Sequence, residues 1–176
     1  MGIINLLLVN EMSFNLNKSD EFTPLDVCAE FGLLETTKTL VELGAAINYT
    51  DRDGNTPLMV AAFKGKPDIF RYLTEIIADI IICNANNNTA LHLAAESGSV
   101  DIIILLLDKG ISVNLTKTND STPLHIPAQF GHLDATKTLV GRGAAINITD
   151  RYGYTPRMVA ANNRKLKILR YLTNRR

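Results

Sequence analysis

The tripeptide Thr-Pro-Leu, or a near copy of it, returns every 33 residues along this chain. The copies are Thr23-Pro24-Leu25, Thr56-Pro57-Leu58, Thr89-Ala90-Leu91, Thr122-Pro123-Leu124 and Thr155-Pro156-Arg157. A strict period of this length marks a stacked array of one supersecondary unit, because one such unit cannot bury its apolar face alone. The same feature bears on function. A stacked array offers a long continuous surface and no obvious catalytic pocket.

Residues 51–83 show what one unit does. Gly54 allows a tight turn. Thr56 is placed to cap a helix, and Pro57 suits the first helical position, where its missing N–H costs nothing. Leu58, Ala61 and Ala62 fall at helical spacing and form a small apolar face that a neighbouring unit can approach closely. Gly65 ends this helix at a position that wants a positive φ. The spacing then predicts a second helix over 68–76. Units 18–50, 84–116 and 117–149 read the same way, and 150–176 reads as a capping unit that stops near the end of its second helix.

Residues 1–17 read as a partial N-terminal unit. Leu6-Leu7-Leu8 align with Leu105-Leu106-Leu107, and Asn15 with Asn114. A signal peptide is the rival reading, but no basic leading segment or small-residue cleavage site accompanies the short apolar run. Leu6 stands where a myristoylation signal needs Ser or Thr. Ile3, Ile4 and Leu6–Val9 are expected to be only partly covered, an apolar edge open to weak self-association. A longer period overlies the first: residues 31–74 and 130–173 are about two-thirds identical, as if three units had been copied together.

These motifs resemble the ankyrin repeat. The stretch from Asp51 through Thr56-Pro57-Leu58 to Ala62 is similar to that family's opening turn and first helix. Thr122-Pro-Leu-His125 and Thr89-Ala-Leu-His-Leu-Ala-Ala95 are similar to its most specific part. Gly44-Ala-Ala-Ile-Asn48 and Gly143-Ala-Ala-Ile-Asn147 resemble its passage into the next turn. The resemblance covers almost the whole chain. It implies an all-α fold: an ankyrin-repeat solenoid of stacked helix-turn-helix units joined by β-hairpin-like turns, one array over 1–176.

It also implies roles. His92 and His125 would be structural linkers to the turn threonines, and His132 a common helix-end residue. Partners would dock on the concave side, built from hairpin tips and the exposed face of the first helices. By position, the candidate protein-binding residues are Arg52, Asp53 and Asn55; Asn86 and Asn88; Asn119 and Ser121; Arg151, Tyr152 and Tyr154 at the tips, with Phe63, Lys64 and Phe130 on the helix face. Ser19, Asp20, Phe22, Ala85 and Thr118 also map to tips, and Glu30, Phe31, Glu96, Ser97, Gln129, Asn162 and Asn163 to the helix face. Tyr and Arg stand out as anchors, because binding energy concentrates in such groups. Phe31 and Phe130 are either exposed anchors or packed sideways on neighbouring helices.

Some residues depart from the pattern. Ile77 replaces the glycine of Gly44, Gly110 and Gly143, and Ile81 replaces an asparagine. The stretch 76–82 is read as a repacked helix end, with an interaction patch as the alternative. Pro127 replaces an alanine inside a first helix, removing one hydrogen bond and favouring a bend. Arg157 replaces a core leucine, and Lys165, Lys167, Arg170, Arg175 and Arg176 fit an exposed end.

Lys plus Arg equals Asp plus Glu at 18 each, so no general field draws the chain to nucleic acid or anionic membranes. No apolar run approaches the ~20 residues of a membrane span. Cys28 and Cys83 sit in different units and suggest no disulfide framework, which fits a reducing compartment, cytoplasmic or nuclear. No zinc-ligand spacing, phosphate loop or nucleophile elbow is present. The expectation is therefore a non-catalytic protein-interaction module without cofactor, an adaptor or inhibitor. The alternative is the ankyrin targeting portion of a larger enzyme or channel. An independent enzyme would need a catalytic constellation that the sequence does not display.

Overall fold

The computed structural model describes residues 22–76 and 79–175. Ser19, Asp20, Ile77 and the expected partial unit over 1–17 lie outside them. Among the described residues there are ten α-helices in five pairs and no strand. The pairs are α1 (Pro24–Phe31) with α2 (Leu34–Glu42), α3 (Pro57–Phe63) with α4 (Pro67–Glu75), α5 (Ala90–Ser97) with α6 (Val100–Asp108), α7 (His125–Phe130) with α8 (Leu133–Gly141), and α9 (Pro156–Asn162) with α10 (Leu166–Thr173).

The repeated tripeptide sets most of the helix starts. Thr23, Thr56 and Thr155 hold extended N-cap conformations, and each side chain accepts the backbone N–H three residues on. This satisfies one of the otherwise unpaired amides of the first turn. Prolines 24, 57 and 156 follow at the first helical position. The second helix of unit 51–83 runs from Pro67 to Glu75, one residue earlier than its spacing predicts, because Pro67 also fits a first helical position.

The fourth unit differs. The period places a helix start at Pro123, yet α7 begins at His125. Pro127 has no N–H to give to the carbonyl of Pro123, so the first regular turn cannot close. The His125 N–H instead bonds Thr122 O at 3.0 Å in a tighter turn. Pro127 thus shortens its helix at the start.

Stacking follows two columns. Leu25, Leu58, Leu91 and Leu124 are each no more than 1 % exposed, and Ala29, Ala62, Ala95 and Ala128 are wholly buried. Each leucine contributes about 1.5–3 kcal/mol by burial, and the alanines let adjacent first helices approach. The main core runs from Ala29 to Ala144. Smaller clusters close the two ends, one around Leu25, Cys28, Leu40 and Ala45 and the other around Ala128, Ala160, Ile168 and Leu172. First helices meet more extensively than second helices at three of the four junctions, the shortened α7 against α5 being the exception. The first helices therefore form the more closely packed of the two layers.

Ile76, Ile80 and Ile82 pack partly buried against the main core, as a repacked helix end requires. Ile81 does not; it is 68 % exposed. Cys28 is buried, which pushes its thiol up to about 11, and Cys83 is exposed and free.

Candidate functional site

Side-chain hydrogen bonds define the conformation of the tips. Asp51 Oδ1 accepts the N–H groups of Asp53 and Asn55, at 3.0 and 2.7 Å. Asn84 Oδ1 does the same for Asn86 and Asn88, and Asp150 Oδ1 for Tyr152 and Tyr154. These side chains mimic backbone turn partners and set the hairpin. Each tip needs one residue at positive φ, supplied by Gly54, Asn87, Asp120 and Gly153 in turn. At the second tip glycine is doubly needed, since a Cβ on Gly54 would meet the Ala85 backbone nitrogen at 2.9 Å. Lys117 replaces the turn carboxylate or amide in the fourth unit, where Asn119 Oδ1 accepts from Ser121 at 3.3 Å instead.

Adjacent tips are tied to one another. The Ala85 N–H donates to Asp53 O at 2.9 Å, and the Arg151 N–H to Asn119 O at 3.0 Å. Thr118 Oγ1 donates to Asn86 O, and the Arg151 guanidinium to Thr118 O at 2.9 Å. The four described tips over 51–154 thus form one continuous ladder.

Between that ladder and the first helices lie two adjoining cavities. The larger, about 500 Å³, is lined by Asp53, Asn55, Phe63, Lys64, Asn86 and Asn88, with Phe22, Asp51 and Asn84 beside them. Met59, Val60 and Leu93 line it too; they went unnoticed in the sequence because the helical spacing assigns them no outward role. Glu30 and Glu96 complete the wall, and Lys64 Nζ sits 2.6 Å from Glu30 Oε1 and 5.7 Å over the Phe63 ring. The second cavity, about 390 Å³, brings Asn119 together with Asn86, Asn88, Glu96, Lys117 and Thr118.

The remaining candidates fall elsewhere. Arg52, Arg151, Tyr152 and Tyr154 are exposed at tips outside these cavities, Tyr152 at 71 %. Phe130 is exposed and stacks on His132, ring centroids 6.3 Å apart. Phe31 is exposed as well. Ser121 is the correction: it is only 7 % exposed. Its carbonyl accepts the Lys117 N–H across the hairpin, which draws the residue under the tip.

The histidines are built into the frame. Nδ1 of His92 faces Thr89, and Nδ1 of His125 faces Thr122, in each case both the backbone N–H and the hydroxyl. Burial lowers the pKa of His92 to about 4 and lowers that of His125 as well, keeping both neutral. His132 Nε2 bonds Glu96 O at 2.9 Å. Among the described residues no group of three or more His, Cys, Asp and Glu could hold a metal, and no helix is long and apolar enough to cross a membrane.

The family model described as ankyrin repeats (3 copies) matches residues 1–82, 43–117, 75–150 and 112–176, so that its matches together span the chain. A search of the curated proteins found no match.

Proposed function

The chain belongs to the ankyrin-repeat family, whose repeats generally serve as protein–protein interaction modules, and from that premise we propose that it is a non-catalytic adaptor or inhibitor that binds a partner protein on its concave face. One observation carries the reading. Seven of the candidate residues, Asp53, Asn55, Phe63, Lys64, Asn86, Asn88 and Asn119, converge on two adjoining cavities between the tips and the first helices. The larger cavity combines an apolar floor of Met59, Val60 and Leu93 with polar walls, the mixture that lets a partner side chain be buried while its polar groups stay bonded, and the second continues it with polar residues alone. Each repeat offers a small patch, so affinity accumulates over several repeats held in register by the ladder of tips.

A site-specific photo-crosslinker tests this. Placed at Asn86, on the cavity rim, it is expected to couple the array to a partner in native cell extract. Placed at Lys137, on the outward second-helix layer, it is expected to give none. Equal coupling at both positions, or coupling at Lys137 alone, contradicts the reading.

A further inference from the structure

The zero net charge conceals a sharp division. From Asp150 to Arg176 the chain has eight Lys or Arg and one acid, Asp150 itself; the preceding 149 residues have ten Lys or Arg and seventeen acids. Asp150 offers the basic stretch little counter-charge, because its Oδ1 is bonded to the Tyr152 and Tyr154 N–H groups of its own turn.

Arg157 sits at the centre of this imbalance. It occupies the position that Leu25, Leu58, Leu91 and Leu124 fill in the other repeats, where the side chain is buried in the core. Here it is exposed. With Arg175 it lines a cavity of about 410 Å³ whose other walls are Ile146, Asn147, Leu172 and Thr173. Among the described residues no carboxylate lines this cavity and neither arginine is in an ion pair. The Arg175 guanidinium lies 5.0 Å over the Tyr171 ring, which orients it beside the opening.

We propose that this end face of the fifth repeat is a second interaction site, separate from the concave face, that takes an acidic segment of a partner protein. A carboxylate of that segment pairs with Arg157 and Arg175, and an adjoining apolar side chain rests on Leu172 and Ile146. A planar guanidinium suits a carboxylate because two parallel hydrogen bonds can form. Any surface that covers Arg157 must bring an anion with it, since burying an unpaired charge is strongly unfavourable. The distribution of charge also selects among anions. A duplex or a membrane extends well past one repeat and would meet the acidic remainder of the array, whereas a short acidic segment is confined to the basic patch.

Fluorescence anisotropy with a labelled Glu-rich peptide carrying leucines tests the site on the full chain. Binding is expected, weakened by added salt and lost when glutamine replaces glutamate in the peptide. Arg157→Leu is expected to weaken it about tenfold. That variant restores the residue the other four repeats carry, so it keeps the fold, and thermal unfolding verifies this. Tyr152→Ala/Tyr154→Ala is expected to leave peptide binding unchanged, which separates this site from the concave face. Equal affinity of the parent chain and Arg157→Leu overturns the proposal. So does stronger binding of duplex DNA or phosphatidylserine vesicles than of the peptide.

Discussion

His125 Nε2–H donates to the backbone oxygen of Tyr154 at 3.0 Å, and its Nδ1 accepts from the Thr122 N–H at 3.0 Å. An amide N–H can only donate, so Nδ1 is the bare nitrogen and Nε2 carries the proton. One imidazole thereby holds the start of the fourth repeat to the tip of the fifth. His92 makes the same bonds to Thr89, but its Nε2 is buried without a hydrogen-bond partner. The carbonyls of Leu115 and Ser121 lie near it, outside hydrogen-bonding geometry.

The two histidines should therefore differ in worth. Met59 and Met158 occupy the equivalent position, so methionine is a fair replacement. His125→Met is expected to cost about 1–2 kcal/mol more than His92→Met, because only the first breaks a bond between repeats while the second removes an unsatisfied donor. Urea unfolding of both variants checks this. Equal losses, or a larger loss at His92, would contradict it.

Asp26 and His92 oppose each other in acid. Asp26 is fully buried with Oδ1 unpartnered, and burial raises its carboxyl from 3.8 to about 6, with Asp51 nearby adding to the rise. Between pH 6 and 4 the folded chain binds a proton there that the unfolded chain does not, so this group adds stability as pH falls. His92 runs the other way. Between pH 6.5 and 4 the unfolded chain takes a proton that the fold refuses, so stability falls with pH. Asp26→Asn removes only the first effect. Relative to the parent, its stability is expected to decline on acidification over that window by on the order of 3 kcal/mol. Parallel stability–pH curves for the two proteins would rule this out.

Arg164 sits at φ 56, in the left-handed region, where the four preceding repeats place Gly32, Gly65, Gly98 and Gly131. A side chain in that region costs roughly 1–2 kcal/mol. Arg164→Gly removes that strain and gives back part of the gain through a more flexible unfolded chain, so a net stabilisation of about 1 kcal/mol is expected. Calorimetric unfolding reads it directly, and a lower unfolding temperature would be inconsistent with strain at this residue.

The repeat frame was legible because period and helix-start chemistry coincide. Thr-Pro marks the starts at Pro24, Pro57 and Pro156 to the residue. The late start at His125 was not, since it depends on which carbonyl Pro127 leaves without a donor. The exposed tips Arg52, Tyr152 and Tyr154 follow from position alone, whereas the burial of Ser121 follows from its hairpin bond to Lys117. The floor formed by Met59, Val60 and Leu93 arises from how consecutive first helices meet the tips, a relation between repeats that a pattern within one repeat does not carry. Arg157 read as a tolerated polar end; its pairing with Arg175 around one cavity needed three dimensions.

Affinity of a captured partner for Tyr152→Ala/Tyr154→Ala, measured beside the parent chain, tests concave-face binding most directly. Both side chains are exposed at the fifth tip and lie outside the core, so thermal unfolding of the variant is expected to match the parent. Binding is expected to weaken by about 2 kcal/mol or more. Unchanged affinity, with hydrogen-exchange protection confined to the second helices α2, α4, α6, α8 and α10, would contradict it.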